Sequence, residues 1–103
     1  MKINNIMKQA QAMQNKMIQI QSELENERVE ASVGGGMVKA AFNGQGDIVS
    51  ISLDPEIINP DDKDMLEDLI LSAVREGQNK ARELMSARMS AVTGGLGGLI
   101  PGM

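Results

Sequence analysis

The chain has no cysteine, histidine, tryptophan or tyrosine, and Phe42 is its single aromatic residue. The missing thiols exclude disulfides, thiolate nucleophiles and zinc–sulfur sites. The missing imidazoles remove the usual general base near neutral pH and the commonest metal ligand. No nucleophile–base–orienter set can be assembled from the residues that remain, so the chain is expected not to be an enzyme and to take no cofactor, metal or small-molecule substrate. The near absence of rings leaves no platform for stacking the bases of a single strand. No apolar run approaches the roughly 18 residues of a membrane span. The N-terminus does not lead from a basic run into a long apolar stretch, so neither a signal peptide nor a membrane partner is expected, and the cytoplasm is the expected location.

What is present suits one domain of 103 residues. A chain of this size buries about two-thirds of its unfolded surface, so its own core is modest. That core must come from Ile, Leu, Val, Ala and the nine Met residues. Methionine is flexible and fills irregular gaps, which fits a helix pair or a forgiving interface; compositional preference is the alternative reading. The net charge of -4 argues against a wholly basic nucleic-acid binder. Its distribution is uneven, however. Residues 1–22 carry Lys2, Lys8 and Lys16 and no acid, residues 23–74 carry a net -9, and residues 75–103 a net +2. If both ends form helices that project together, an acidic protein can still present a positive region.

Residues 2–27 read as one long helix. Ile3, Ile6, Ala10, Met13, Met17, Ile20 and Leu24 alternate in steps of three and four, a heptad-like stripe without Pro or Gly. Such a helix is roughly 35–40 Å long, more than so small a body can cover, so part of the stripe needs the C-terminal helix or a symmetry mate. The period then drops to two. Val29, Ala31 and Val33 mark a strand over 29–34, and Val38, Ala40 and Phe42 one over 37–43. In a third over 48–53, Val49, Ile51 and Leu53 are expected inward and Ser50 and Ser52 outward. The Gly34-Gly35-Gly36 run and the stretch from Asn43 to Asp47 supply turns, which predicts an antiparallel meander with one apolar face. Asn59 and Pro60 read as the cap and first residue of a second long helix over 61–91, about 45 Å long. Gly77 sits in its apolar stripe at a cost of roughly 1 kcal/mol relative to Ala, which points either to close approach by another element or to simple tolerance. Gly94 ends that helix, and the Gly-rich segment 94–103 is expected to be a flexible tail behind a single domain of residues 1–93. The fold class is therefore α+β: a long N-terminal helix, a three-stranded antiparallel sheet and a long C-terminal helix.

The glycine run lacks the spacing and the following Lys-Ser/Thr of a phosphate loop and reads as a hairpin turn. Asp61, Asp62 and Asp64 could be imagined as a metal site, but complementing a helix N-terminus explains them without a ligand. The basic residues remain: Lys2, Lys8 and Lys16 in the acid-free part of the first helix, and Arg75, Lys80, Arg82 and Arg88 in the second. Phosphate contacts need flexible cations rather than a motif, and ordinary solvation of helix surfaces accounts for the same residues.

The order of several pieces resembles the YbaB/EbfC family of nucleoid-associated proteins. The pieces are Met7-Lys8-Gln9-Ala10-Gln11 and Met13-Gln14-Asn15-Lys16-Met17, then Gly36-Met37-Val38-Lys39, the Asn43-Gly44 turn and Ile51 through Pro55. The run from Asp61 to Ile70 follows with Ala73, and last comes Thr93-Gly94-Gly95-Leu96. The resemblance covers nearly the whole chain. It implies a tweezer-like homodimer joined through the central regions, with projecting helices that face double-stranded DNA. It further implies nucleoid association and gene regulation, and it points to Lys8 and Lys16 first, then Lys2, Arg82 and Arg88, as DNA-binding residues. Binding would run mainly through phosphates with limited base readout. The competing expectation, from the heptad-like stripe and the Met-rich helices, is a non-catalytic protein-interaction or assembly module.

Overall fold

The stepped apolar pattern at the N-terminus forms a helix, α1, over Lys2–Asn26 in the computed structural model, which describes residues 2–94. Three antiparallel strands follow, β1 (Arg28–Val33), β2 (Val38–Asn43) and β3 (Ile48–Leu53), in the order β1-β2-β3. Two short 3-10 turns, Pro55–Ile57 and Pro60–Asp62, lead into the second helix, α2, over Lys63–Gly94. The Asp54 and Asn59 side chains cap the two turns, each accepting a hydrogen bond from a backbone N–H two residues on, at 2.9 and 3.0 Å. Asn59 and Pro60 thus start a 3-10 turn rather than α2 itself, which begins three residues later than the turn and runs past residue 91. The expected tail from residue 95 onward lies outside the described residues, and Gly94 is the last residue of α2.

The register places directly paired residues on one face of the sheet. Val29, Ala31 and Val33 of β1 pair with Phe42, Ala40 and Val38 of β2, and Val38 and Ala40 pair in turn with Leu53 and Ile51 of β3. α2 packs on β1 and β2. Its Ala73 and Ala81 are fully buried against the sheet, together with Val38, Ala40 and Phe42 of β2. The helix meets the sheet through its smallest residues, Ala73, Gly77 and Ala81, spaced four apart on one face. Gly77 is where the backbone comes closest. A Cβ there would overlap the Cε1 and Cδ1 atoms of Phe42 and lie 3.2 Å from Cζ. Close approach, not tolerance, accounts for this glycine.

The third strand departs from expectation. Ile48, Val49 and Ile51 remain 51, 46 and 45 % exposed, and only Leu53 is half-buried. Ile51 and Leu53 do lie on the helix side, but α2 sits over the other two strands and leaves this row open. Val49 is displaced for a second reason. Ala41 pairs with Ser50 and Phe42 with Ile48, so Val49 is the extra residue of a bulge.

At its C-terminal end α1 rests on the Asn43-Gly44 turn. Leu24 is buried against it, and the Gly44 N–H donates to the Leu24 carbonyl at 2.8 Å. A Cβ on Gly44 would stand 2.7 Å from Leu24 Cδ2, so residue 44 must be small. Of the α1 stripe only Ile20 and Leu24 are buried, while Ile3 and Ile6 stay 72 and 63 % exposed. The molecule is 71 Å long. Neither α1 nor α2, at ~37 and ~48 Å, reaches that length alone. Because Glu27, directly after α1, meets Arg88 near the end of α2, α1 must run on from there, antiparallel to α2 and away from the sheet. It projects as an arm.

Candidate nucleic-acid interface

The arm carries the acid-free end of the sequence. Lys2, Lys8 and Lys16 are all exposed on α1, and none of them makes an ion pair among the described residues. At 3.6 residues per turn, Lys2 and Lys16 lie roughly 50° and 90° from the centre of the apolar stripe, and Lys8 lies almost opposite it. The three lysines therefore ring the arm rather than line one face. Flexible cations so placed can reach phosphates lying beside the arm, and no aromatic ring stands among them.

On α2 the predicted residues separate. Arg82 is exposed on the outer face, turned away from the buried Ala73–Gly77–Ala81 line. Arg75, one heptad before it, shares that face and is also exposed. Arg75 belongs to the basic segment but is not among the expected DNA-binding residues, although its seven-residue spacing from Arg82 is plain in the sequence. Arg88 lies on the inward stripe instead and is half-buried. Its Nη2 donates to Glu27 Oε1 at 2.6 Å, a charge-assisted contact between two elements far apart in sequence. Lys80 is also engaged, donating to the Glu30 carbonyl at 2.9 Å and lying 3.7 Å from Glu76. These two cations stitch α2 to the α1–β1 junction and to β1.

The root of the arm holds residues that the sequence did not single out. Arg28 Nη1 donates to the carbonyls of Glu25 and Glu27 at 3.0 and 2.8 Å, satisfying acceptors at the C-terminal end of α1. Gln45 Nε2 donates to the Gln21 carbonyl at 2.9 Å. Gln45 and Gln21 are brought together only by the hairpin folding back onto the helix, so no local pattern marks that pair, whereas Arg28 bonds carbonyls one and three residues before it.

The opposite end of the molecule is acidic. Asp54, Glu56, Asp61, Asp62, Asp64, Glu67 and Asp68 cluster around the start of α2, with Lys63 already 3.5 Å from Glu67. A depression of about 350 Å³ lined by Pro60, Asp61, Asp62, Lys63, Asp64 and Met65 lies here and would repel a phosphate. Among the described residues no group of three or more carboxylates is placed to hold a metal ion, and no helix is long and apolar enough to cross a membrane.

The chain is similar to known proteins over nearly its whole length. The model of the YbaB/EbfC DNA-binding family matches residues 1–96. A nucleoid-associated protein of Ruminiclostridium cellulolyticum is 54 % identical over 101 residues, covering 98 % of this chain and 87 % of its own. One from Acetivibrio thermocellus is 52 % identical over 101 residues, covering 98 and 88 %. The crystal structure of an uncharacterized protein from Helicobacter pylori superposes with a TM-score of 0.72 at 24 % identity, over 81 % of this chain and 87 % of that one, a likeness of fold.

Proposed function

The chain belongs to the YbaB/EbfC DNA-binding family, whose members are non-catalytic, and from that premise we propose that it is a nucleoid-associated protein that holds double-stranded DNA against its projecting arm. The observation that carries this reading is the arm itself: three exposed lysines, no acid before Glu23, and an acidic body held at the far end. Lys2, Lys8 and Lys16 on α1 and Arg82 on α2 are the proposed phosphate contacts, with limited base readout because the contacts are flexible cations. Arg88, half-buried and paired with Glu27 at the base of the arm, is set apart from these contacts.

The working unit in this reading is a homodimer. β3 carries no charged residue and no proline, two of the devices that keep an edge strand single, and its bulge at Val49 is the one such device within it. A second copy covering Ile48, Val49 and Ile51 would bury this row and would set two arms on one body, which is the tweezer-like arrangement. Two arms per particle double the cations within reach of one duplex. The role that follows is cytoplasmic and nucleoid-associated: organising the nucleoid and modulating transcription where the arms lie. The exposed apolar residues of the arm, Ile3, Ile6, Met7 and Ile18, support a second reading as a protein-interaction module.

Titration of duplex DNA at a series of salt concentrations separates the two. Binding through phosphates gives a linear fall of log K with log salt, with a slope of about -0.9 for each phosphate neutralised. Replacing Lys8 and Lys16 together by Gln lowers the slope by about two for each arm engaged. A wild-type protein without salt-sensitive binding at low ionic strength would sink the DNA reading and leave the protein-interaction module.

A further inference from the structure

We infer that Arg88 is a positioning residue, clamped to Glu27 so that α1 leaves the body at a fixed angle; the inference refines the DNA-binding reading, which it takes as given. Glu27 is the single residue between the end of α1 and the start of β1. A one-residue connection is the natural hinge of the arm, and the hydrogen bonds at the root converge on it. Arg28 holds the Glu25 and Glu27 carbonyls, the Gly44 N–H and Gln45 hold the carbonyls of Leu24 and Gln21, and Arg88 reaches from α2 to the Glu27 carboxylate at 2.6 Å. The first four tie α1 to its own connection and to the hairpin. Arg88 alone among the described cations ties the hinge side chain to α2, so it sets the angle between the two helices.

The geometry also makes the guanidinium a poor phosphate ligand as it stands. It lies on the inward stripe of α2, half-buried and neutralised by a carboxylate. A small change at the hinge is magnified along the arm. From the hinge to its N-terminal end α1 runs about 37 Å, so a swing of about 10° moves the tip by roughly 6 Å, more than one 3.4 Å base-pair step. Lys2 and Lys8 are then displaced from the phosphates they meet, although neither has been altered.

The chain has no native cysteine, so two introduced thiols, Gln11→Cys and Asn79→Cys, can be spin-labelled without background. Labelled protein diluted in unlabelled protein reports the distance between the arm and the outer face of α2. In this background the test compares Arg88→Gln, Glu27→Gln and the charge swap Glu27→Arg with Arg88→Glu. If Arg88 is a positioning residue, both single variants broaden the arm-to-α2 distance distribution without DNA. Both also weaken duplex binding by a similar factor, about two- to fivefold from the usual strength of an exposed ion pair. The salt slope stays at the wild-type value, and the charge swap restores both the distance distribution and the affinity. If Arg88 binds DNA directly, Arg88→Gln lowers the salt slope by about 0.9 per arm, Glu27→Gln tightens binding by freeing the guanidinium, and the distance distribution does not change. That result would overturn the inference. Should the wild type not bind DNA at all, the distance measurement still decides the positioning role, because it needs no DNA.

Discussion

Replacing Gly77 by Ala sets two physical effects against each other, and the structure says which one wins. In the interior of a helix, Ala is more favourable than Gly by about 1 kcal/mol. On that count alone the variant of α2 should be more stable. Yet the added methyl would enter the ring of Phe42, overlapping Cε1 and Cδ1 and standing 3.2 Å from Cζ. The ring has little room to retreat. Phe42 is 1 % exposed, paired across the sheet with Val29 on one side and Ile48 on the other. Neither can the helix lift easily, because Ala73 and Ala81 on either side of Gly77 are themselves fully buried against the sheet. Overpacking of this kind costs about 1–3 kcal/mol, and the rigidity of both partners puts this case in the upper part of that range. After the helix-propensity gain is subtracted, the expected loss is about 1–2 kcal/mol. For a domain of this size that corresponds to a melting temperature lower by roughly 5–15 °C. Thermal and urea unfolding followed by circular dichroism measure it, at one fixed protein concentration because self-association shifts the apparent stability. The companion variant Phe42→Leu relieves the overlap, so Gly77→Ala should cost less in that background than in the wild type. A melting temperature that rises in the single variant would refute the close-packing argument and leave helix propensity as the dominant effect.

Two further outcomes are expected from the same packing. Leu24→Ala, at a buried position that seats α1 on the Gly44 turn, should destabilise the protein by about 2–5 kcal/mol and speed proteolytic cleavage within α1; a loss within 0.5 kcal/mol would show that the arm is anchored elsewhere. Ile51→Lys alters a side chain already 45 % exposed in the single chain, so the far-ultraviolet dichroism of the fold should persist while sedimentation equilibrium falls from twice the monomer mass to the monomer mass. An intact dimer in this variant would place the self-association surface away from β3.

The architecture was legible in the sequence wherever a local period governs it. A three–four spacing can bury one side only as a helix, and an alternation of two can do so only as a strand, so α1, the three strands and α2 follow from residue order within a few positions. The absence of thiols and imidazoles limits the chemistry just as locally, and the segregation of lysines from carboxylates along the chain already separates a positive arm from an acidic body. What the tertiary structure decided are relations between distant residues. Val49 and Ile51 carry the same alternation as Val38 and Ala40, yet they stay exposed, because coverage depends on where α2 lies and not on the strand's own pattern. Gly77 could be read either way until Phe42 was seen against it. Arg88 and Lys16 are equivalent as cations in a basic segment. Only the folded chain brings Glu27 to Arg88 across a sequence separation of 61 and leaves Lys16 open to solvent, and a charge is available to a phosphate or taken by a carboxylate according to that distance alone.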